Sequence, residues 1–329
     1  MGGSHHPTVD LARKFADERL FAEALITDAS GEPPFALLDE MSSLGLFGTF
    51  SPSSIGGAGL EPADRHLVVE AIAGGCLTTA FIWMQHAAPA AATAGASGDL
   101  GLKAVELATG RCRGGVAFAH LLRAGDPMLI VERAGDDWML SGVAPYVTGW
   151  GVIDVLLVAA RLESSIVWLI VDAQESSTMR ASPLSLAAVN ASATVSIEFQ
   201  QHRVDAGRLV RIDQFTDWLP AYQAGLRANG SLALGVASRC VSLLSDGTFE
   251  DELREARLAL DEAGVDGLPE ARARATALAV RVASSVVASQ GGRSMIVDNH
   301  AQRLAREALF LLVQGQTAEI RQHQMQMLA

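Results

Sequence analysis

The sequence predicts an α+β protein with an N-terminal helical domain, a central antiparallel β domain and a C-terminal helical bundle. Apolar residues recur at helical spacing up to about residue 110, and the same spacing returns after residue 213. Between these regions lie short β-branched segments separated by Gly, Asp, Asn and Pro. We therefore expect domains at residues 1–112, 113–212 and 213–329.

The first domain contains two amphipathic segments, "PTVDLARKFADERLFAEALI" and "PFALLDEMSSLGLFG", followed by the loop sequence "SPSSIGGAGLEPAD". The next segment, "RHLVVEAIAGGCLTTAFIWMQHAAPAAATA", predicts one long buried helix in which Gly74 and Gly75 let a neighbouring helix approach closely. Trp83 and Met84 are expected in the core or in a cleft. His86 and His120 are expected to be buried histidines with hydrogen-bond partners rather than metal ligands.

The β domain is predicted from the segments "GGVAFAHL", "PMLIVERAGDDWMLSG", "DVLLVAARLESSIVWLIVDA" and "ATVSIEFQQHRV". Helices are then predicted in "FTDWLPAYQAGLRANGSLALGVASRCVSLL", "FEDELREARLALDEAG", "PEARARATALAVRVASSVVAS" and a segment from His300 to Leu328. Within the last segment, "LFLLVQGQTAEIRQ" indicates a helix, a break at Gln314-Gly315-Gln316 and a second helix.

Composition excludes several classes of function. A net charge of −12 argues against nucleic-acid binding, which depends on clustered Lys and Arg. Cys76, Cys112 and Cys240 are far apart and lack the spacing of a zinc site, so we expect buried free thiols. The sequence has no signal-peptide pattern and no apolar run long enough to span a membrane, which predicts a cytoplasmic protein without a membrane partner.

The order of domains and three sequence motifs resemble the acyl-CoA dehydrogenase family over nearly the whole chain. "LGLFGTFSPSSIGGAGL" is similar to that family's Gly-Leu, Pro and Gly-Gly-x-Gly loop. "WMLSGVAPYVTGWGVIDVLLVAAR" is similar to its Leu-x-Gly-Lys-x-Trp-Ile-Thr strand pair. "SQGGRSMIVDNHAQRLAREALFLLVQGQTAEI" is similar to its closing Gly-Gly, Arg-Asp-Ala and Glu-Gly-Thr region.

The resemblance implies FAD as the cofactor and an acyl-CoA or other acyl thioester as the substrate. In that family a carboxylate takes the α proton while the flavin N5 accepts the β hydride. The resemblance implies that Tyr146 and Thr148 face the flavin, and that Gly291, Gly292 and Thr317 also contact the cofactor. The alternative is that Tyr146 and Thr148 are ordinary strand residues, because both types favour sheets.

The same resemblance implies that this chain has no catalytic base. The family's catalytic Glu falls on Gly315, or on Gln314 if one residue is inserted before Thr317. Some members carry the base on the first helix of the bundle, at a position that falls near Gly225. Neither an amide nor a glycine can accept a proton at neutral pH, so no catalytic residue is identified.

Two further segments depart from the family pattern, so that the FAD contacts are only partly retained. The flavin-contacting loop is "AHLLRAGD" here and keeps only Gly125 and Asp126 of its end. The segment "SDGTFEDELREARLALDEAG" lacks the Arg and Gln that hold the adenine end of FAD, and the bundle is shorter by about one helix.

Polar residues near residue 300 allow two interpretations. Asp298 and His300 could share a proton or contact a ligand, whereas Asp298 or Asn299 could instead cap the helix that follows. Arg303 and Arg306 could meet an anion, although an ion pair with Glu307 or Asp298 is the commoner arrangement. We favour the cap and the ion pair.

Three functions are compatible with these observations. The first is an acyl-CoA dehydrogenase-like subunit that works in an oligomer with a related, base-bearing partner, similar to the shorter subunit of heteromeric actinobacterial enzymes. The second is a flavin-dependent monooxygenase, although Phe310 and Leu311 stand where its related enzymes carry a His. The third is a non-catalytic scaffold that binds acyl thioesters.

Overall fold

Helices from both ends of the chain flank an eight-stranded sheet in the computed structural model, which describes residues 5–329. The N-terminal helices are α1 (Pro7–Phe15), α2 (Phe21–Ser30), α3 (Phe35–Ser43), α4 (Pro62–Gly75), α5 (Leu77–Gln85), α6 (Ala87–Thr93) and α7 (Gly98–Ala108). A π-helical turn, Ala16–Leu20, joins α1 to α2. None of the helices described has the length and apolar content needed to cross a bilayer.

The expected single helix after the Gly-rich loop is in fact three helices, α4, α5 and α6. The first break is at Cys76, whose backbone is extended, and the second is at His86. His86 uses both ring nitrogens at this second break: Nδ1 accepts a hydrogen bond from Gly114 N at 3.0 Å and Nε2 donates to Leu107 O at 3.1 Å. Because these bonds tie the break to α7 and to the first strand, a continuous helix would leave buried polar groups unpaired.

The strands are β1 (Gly114–Ala117), β2 (Leu129–Ala134), β3 (Asp137–Val147), β4 (Val155–Leu162), β5 (Ser165–Asp172), β6 (Met179–Pro183), β7 (Val195–Val204) and β8 (Leu209–Gln214). Their order is β6-β7-β3-β2-β4-β5-β8, with β1 also paired to β4. Most pairs are antiparallel as expected, but β1 and β2 pair with β4 in parallel. The sheet is therefore mixed, because β1 and β2 follow each other along one edge of β4.

Strand β4 is almost entirely apolar because both of its faces are buried. Val155, Leu157 and Ala159 belong to the core shared with the helices. The alternating residues Leu156, Val158 and Ala160 belong to a second core formed within the sheet layer. The sheet thus presents one apolar face to the helices, and this face positions the candidate site.

The C-terminal helices are α8 (Phe215–Ala224), α9 (Leu226–Leu244), α10 (Glu250–Glu262), α11 (Leu268–Gln290), α12 (His300–Val313) and α13 (Ala318–Leu328). The predicted boundary at residue 213 falls within β8, and the division into three domains stays a prediction. Cys76, Cys112 and Cys240 are buried free thiols, as expected. The fold class predicted from the sequence is confirmed.

Candidate functional site

The Gln-Gly-Gln segment is a tight turn between α12 and α13. Gly315 has φ +60°, a left-handed conformation that favours glycine, and Gln314 is the extended residue that caps the C-terminal end of α12. Thr317 begins the next helix, with its Oγ1 accepting a hydrogen bond from Ile320 N at 3.3 Å. The break predicted from "LFLLVQGQTAEIRQ" is therefore confirmed, and its residue types follow from helix-capping requirements.

The space around Gly315 is filled by two polar side chains from α8 and α9. Tyr222 Oη donates a hydrogen bond to Gly315 O at 3.1 Å. A Cβ atom built on Gly315 would lie 2.9 Å from Tyr222 Oη and 3.1 Å from Asn229 Nδ2. A side chain at this position, whatever its charge, requires Tyr222 and Asn229 to move.

Gln314 contacts a buried arginine. Its Oε1 accepts a hydrogen bond from Arg272 Nη2 at 3.2 Å, and the same nitrogen lies 3.3 Å from Leu311 O. Arg272 is only 1% exposed, and burial lowers the pKa of its guanidinium to about 10. Its Nη1 has no hydrogen-bond partner among residues 5–329. Within the described part of the chain, the only side-chain acceptor of this cation is therefore a neutral amide.

The acidic residue of α12 is held away from the turn. Glu307 lies eight residues before Gly315, which is about 12 Å along a helix axis. Its Oε1 accepts a hydrogen bond from Arg303 Nη1 at 2.5 Å, and both side chains are buried. Burial raises the pKa of Glu307. Glu307 is thus a structural partner of Arg303, and we assign it no role at the turn.

Aromatic side chains cover the helix-facing side of the sheet beside Tyr222. The Trp218 and Tyr222 rings stack at 5.3 Å between centroids, as expected for residues four apart on α8. Phe118 lies edge-on to both of them and to Trp168 on β5. Neither Tyr222 nor Phe118 was predicted from the sequence as a site residue. The spacing of Trp218 and Tyr222 was the available signal, but it gives no indication of contact with Gly315.

The two predicted flavin contacts lie in different environments: Tyr146 near the end of β3, and Thr148 directly after that strand. Tyr146 is 53% exposed and has φ +58°, with the Arg123 guanidinium 5.6 Å from its ring. Thr148 is buried, and its hydroxyl is 3.0 Å from Thr194 Oγ1, which in turn is 2.8 Å from Ser192 Oγ. Only Tyr146 is therefore free to contact a molecule from solution.

The other three predicted cofactor residues are also separated. Gly291 and Gly292 are exposed at the end of α11, whereas Thr317 is buried and used as a helix cap. Neither of the two cavities described for residues 5–329 is lined by any of the five predicted residues. Among residues 5–329, the five predicted cofactor residues are thus not gathered around either of these two cavities.

The polar residues near position 300 form a helix cap and ion pairs, which is the interpretation favoured from the sequence. Asn299 Oδ1 caps α12 by accepting from Ala301 N at 2.7 Å, while Asp298 is exposed. Arg303 pairs with Glu307, and Arg306 pairs with Asp28 on α2. The His300 ring stacks on Phe21 at 4.0 Å between centroids. Among residues 5–329, no group of His, Cys, Asp or Glu side chains could hold a metal ion.

Comparisons with known proteins agree with this architecture. Residues 4–103 match the family model "Acyl-CoA dehydrogenase, N-terminal domain". The chain is 23% identical to the 3-sulfinopropanoyl-CoA desulfinase of Paraburkholderia xenovorans, with 94% of this chain and 91% of the relative covered.

Two solved structures have the same fold over nearly their whole length. Butyryl-CoA dehydrogenase from Megasphaera elsdenii has a TM-score of 0.85, with 18% identity and complete coverage of both chains. A glutaryl-CoA dehydrogenase from Mycobacterium smegmatis in complex with FADH2 has a TM-score of 0.82 and 16% identity, with 98% and 93% covered. The domain match over residues 4–103, the full-length relative and the shared fold together confirm the resemblance to the acyl-CoA dehydrogenase family that the sequence motifs predict.

Proposed function

We propose that this chain is an acyl-CoA dehydrogenase-like subunit that binds an acyl thioester but lacks its own catalytic base. The observation that carries the proposal is the closed turn at Gly315, where Tyr222 Oη and Asn229 Nδ2 occupy the space a side chain would need. Removing an α proton requires a basic group within hydrogen-bond reach of that carbon. Neither Gly315 nor Gln314 supplies one.

The other candidate base positions also support this proposal. Gly225, between α8 and α9, has no side chain. The Glu307 carboxylate is buried against Arg303. A partner subunit that carries the base and completes the flavin site would account both for the missing carboxylate and for the separated contacts of Tyr146, Thr148, Gly291, Gly292 and Thr317. The proposed assembly is therefore a hetero-oligomer with a related subunit.

The test compares the chain alone with the chain co-expressed with a base-bearing, full-length relative. We expect the chain alone to purify without flavin absorbance and to give no turnover of butyryl-CoA with an artificial electron acceptor. Flavin absorbance and turnover are expected only in the co-expressed complex. Turnover by the isolated, FAD-supplemented chain would contradict the proposal.

A set of variants tests whether the closed turn is the reason for inactivity. Gly315→Glu alone is expected to stay inactive and to lower the melting temperature, because its side chain meets Tyr222 and Asn229. In Gly315→Glu combined with Tyr222→Phe, the hydroxyl nearest the added side chain is removed while the ring contacts with Trp218 and Phe118 stay, and we expect the melting temperature to recover in part. If Gly315→Glu alone is as stable as the wild type, the turn is not closed in solution.

Desulfination of an acyl thioester is a second candidate, favoured by the combination of the missing base and the relative from Paraburkholderia xenovorans. As its name states, that relative removes a sulfinate group from 3-sulfinopropanoyl-CoA. Breaking a carbon–sulfur bond does not require a carboxylate to take an α proton. Release of sulfite from 3-sulfinopropanoyl-CoA by the isolated chain would favour this candidate over the first.

A further inference from the structure

A cleft of about 660 Å³ lies between the N-terminal and C-terminal helices, and its lining includes no residue of the turn at residue 315. Helices α1 and α4 form one side, and α9 and α10 form the other. Its apolar lining includes Ala16, Ala63, Leu67 and Ala71, and the helices approach closely at Gly74 and Gly235. A cavity of this size is typical of small-molecule sites.

The charged lining of the cleft is more positive than the protein as a whole. Four arginines line it, Arg13, Arg227, Arg239 and Arg257, against three carboxylates, Asp17, Glu70 and Asp261. The cleft therefore has an excess of one positive charge in a chain whose net charge is −12. A positive cleft in an otherwise negative protein attracts anions selectively, because the surrounding field excludes them elsewhere.

Two of these arginines are fixed by carboxylates within the cleft. Arg227 Nε and Nη2 contact Asp261 Oδ1, and its Nη1 donates to Ser231 Oγ at 2.7 Å. Arg257 donates from Nε and Nη2 to the two carboxylate oxygens of Glu70. These bonds hold the guanidinium groups in place without the loss of side-chain entropy that free arginines pay on binding a ligand.

The remaining donors are unused. Arg239 donates from Nε to Gly74 O and from Nη2 to Asp17, which leaves its Nη1 without a partner among residues 5–329. Arg257 Nη1 likewise has none among these residues. Among residues 5–329, the one ion pair of Arg13 is with Asp10, outside the cleft, at 3.4 Å. The cleft thus combines fixed guanidinium groups with free N–H donors from α1, α9 and α10.

We propose that this cleft binds a small soluble molecule that carries a phosphate or pyrophosphate group. Planar guanidinium groups match the geometry of phosphate oxygens, and several of them acting together favour a multiply charged anion over a single carboxylate. The volume leaves room for a nucleoside beside the pyrophosphate, against the alanine and leucine side chains. This site is independent of the acyl-thioester function proposed above.

The test is calorimetric titration of the full chain with pyrophosphate, ADP and orthophosphate at low and moderate salt. We expect pyrophosphate and ADP to bind, with an affinity that falls as salt rises because the attraction is electrostatic. Tighter binding of ADP than of pyrophosphate would identify a nucleotide as the source of the phosphate. Equal affinities for ADP and pyrophosphate would identify the free pyrophosphate anion as the group that the cleft recognises.

Arg13→Glu is the diagnostic variant, because the Arg13 side chain is 48% exposed and has only one weak contact. We expect it to weaken pyrophosphate binding at least tenfold without changing the melting temperature. Arg321→Glu, an exposed residue of α13 with the same charge change, is the matched control and should bind like the wild type. The proposal is overturned if the wild type binds neither anion at millimolar concentration, or if Arg13→Glu and Arg321→Glu weaken binding equally.

Discussion

The amide of Gln314 is the only side-chain acceptor that the buried Arg272 guanidinium has among residues 5–329. A buried charge is costly unless an opposite charge or several hydrogen bonds compensate it. A carboxylate at position 314 would therefore pair with Arg272 rather than stay free. A glutamate introduced at position 314 would thus be a weaker base, because pairing with the Arg272 cation favours the ionised carboxylate.

We predict that Gln314→Glu stabilises the protein without creating dehydrogenase activity. The free energy of unfolding at pH 7.5 should rise by roughly 1–2 kcal/mol, because a neutral acceptor is replaced by a charged one. Urea denaturation measures the gain. The double variant Gln314→Glu with Arg272→Met should lose it, since the carboxylate then has no cation. Turnover of butyryl-CoA by Gln314→Glu alone would show that the carboxylate is free.

The residue types at the turn could be predicted from the sequence, but the contacts that surround the turn could not. The residues Gln314 and Gly315 are not basic whatever their surroundings. Tyr222 is 93 residues away in the chain, so no local pattern could place its hydroxyl on Gly315 O. The buried arginine at position 272 also escaped prediction, because it stands in a helix rich in exposed arginines such as Arg274 and Arg281.

The contact between α4 and α9 depends on glycine at the crossing point. A Cβ atom on Gly235 would lie 2.3 Å from the backbone oxygen of Glu70, and one on Gly74 would lie 3.0 Å from Gly235 O. Backbone atoms cannot move aside as side chains do, so the two helices would have to separate. This pair of helices joins the N-terminal part of the chain to the C-terminal part. Both helices line the cleft of about 660 Å³ described above.

We predict that Gly235→Ala lowers the free energy of unfolding by about 2–3 kcal/mol because of this overlap. Gly230→Ala, on the same helix, is the matched control, since its Cβ would meet only the Leu260 side-chain carbons at 2.7 Å. There the neighbour can rotate, and alanine gains up to about 1 kcal/mol of helix propensity. Chemical denaturation of both variants measures the difference. Equal losses would mean that the backbone overlap at Gly235 has no special cost.

Element type was easier to predict than element ends. Gly74 was expected to allow a close helix approach, and its contact with Gly235 confirms it. The cap at Asn299 is likewise confirmed by its bond to Ala301 N. The breaks at Cys76 and His86 were not predicted. The break at His86 depends on its bonds to α7 and β1, which are distant in sequence. Tertiary contacts there override the helical pattern.

At the scale of the whole molecule, the order of helical and β regions could be predicted from the spacing of apolar residues along the chain. The pairing of strands within the sheet could not. β1 and β2 pair in parallel with β4, and parallel pairing needs long connections whose path no local pattern gives. The layers are then held together by buried polar residues as well as by the core. His86 joins α5, α7 and β1 through its two ring nitrogens, so its protonation state affects how the helices meet the sheet.

We predict that the protein loses stability as the pH falls from about 6.5 to about 4. Burial lowers the pKa of His86 and of His120 from 6.5 to about 4. The unfolded chain therefore binds protons at pH 5 that the folded protein does not, so the free energy of unfolding is fully present above pH 6.5 and falls below it. For His86 the physical reason is that protonated Nδ1 could no longer accept from Gly114 N.

The fall should amount to about 1.4 kcal/mol per pH unit for each such histidine. Urea denaturation between pH 7.5 and pH 4.5 measures it, and His86→Gln isolates one contribution. This variant should be less stable than the wild type at pH 7.5. Its stability should fall less steeply on acidification, because its unfolding takes up about one proton fewer than unfolding of the wild type does. If the two pH profiles run parallel, the His86 ring is not the neutral link between α7 and β1.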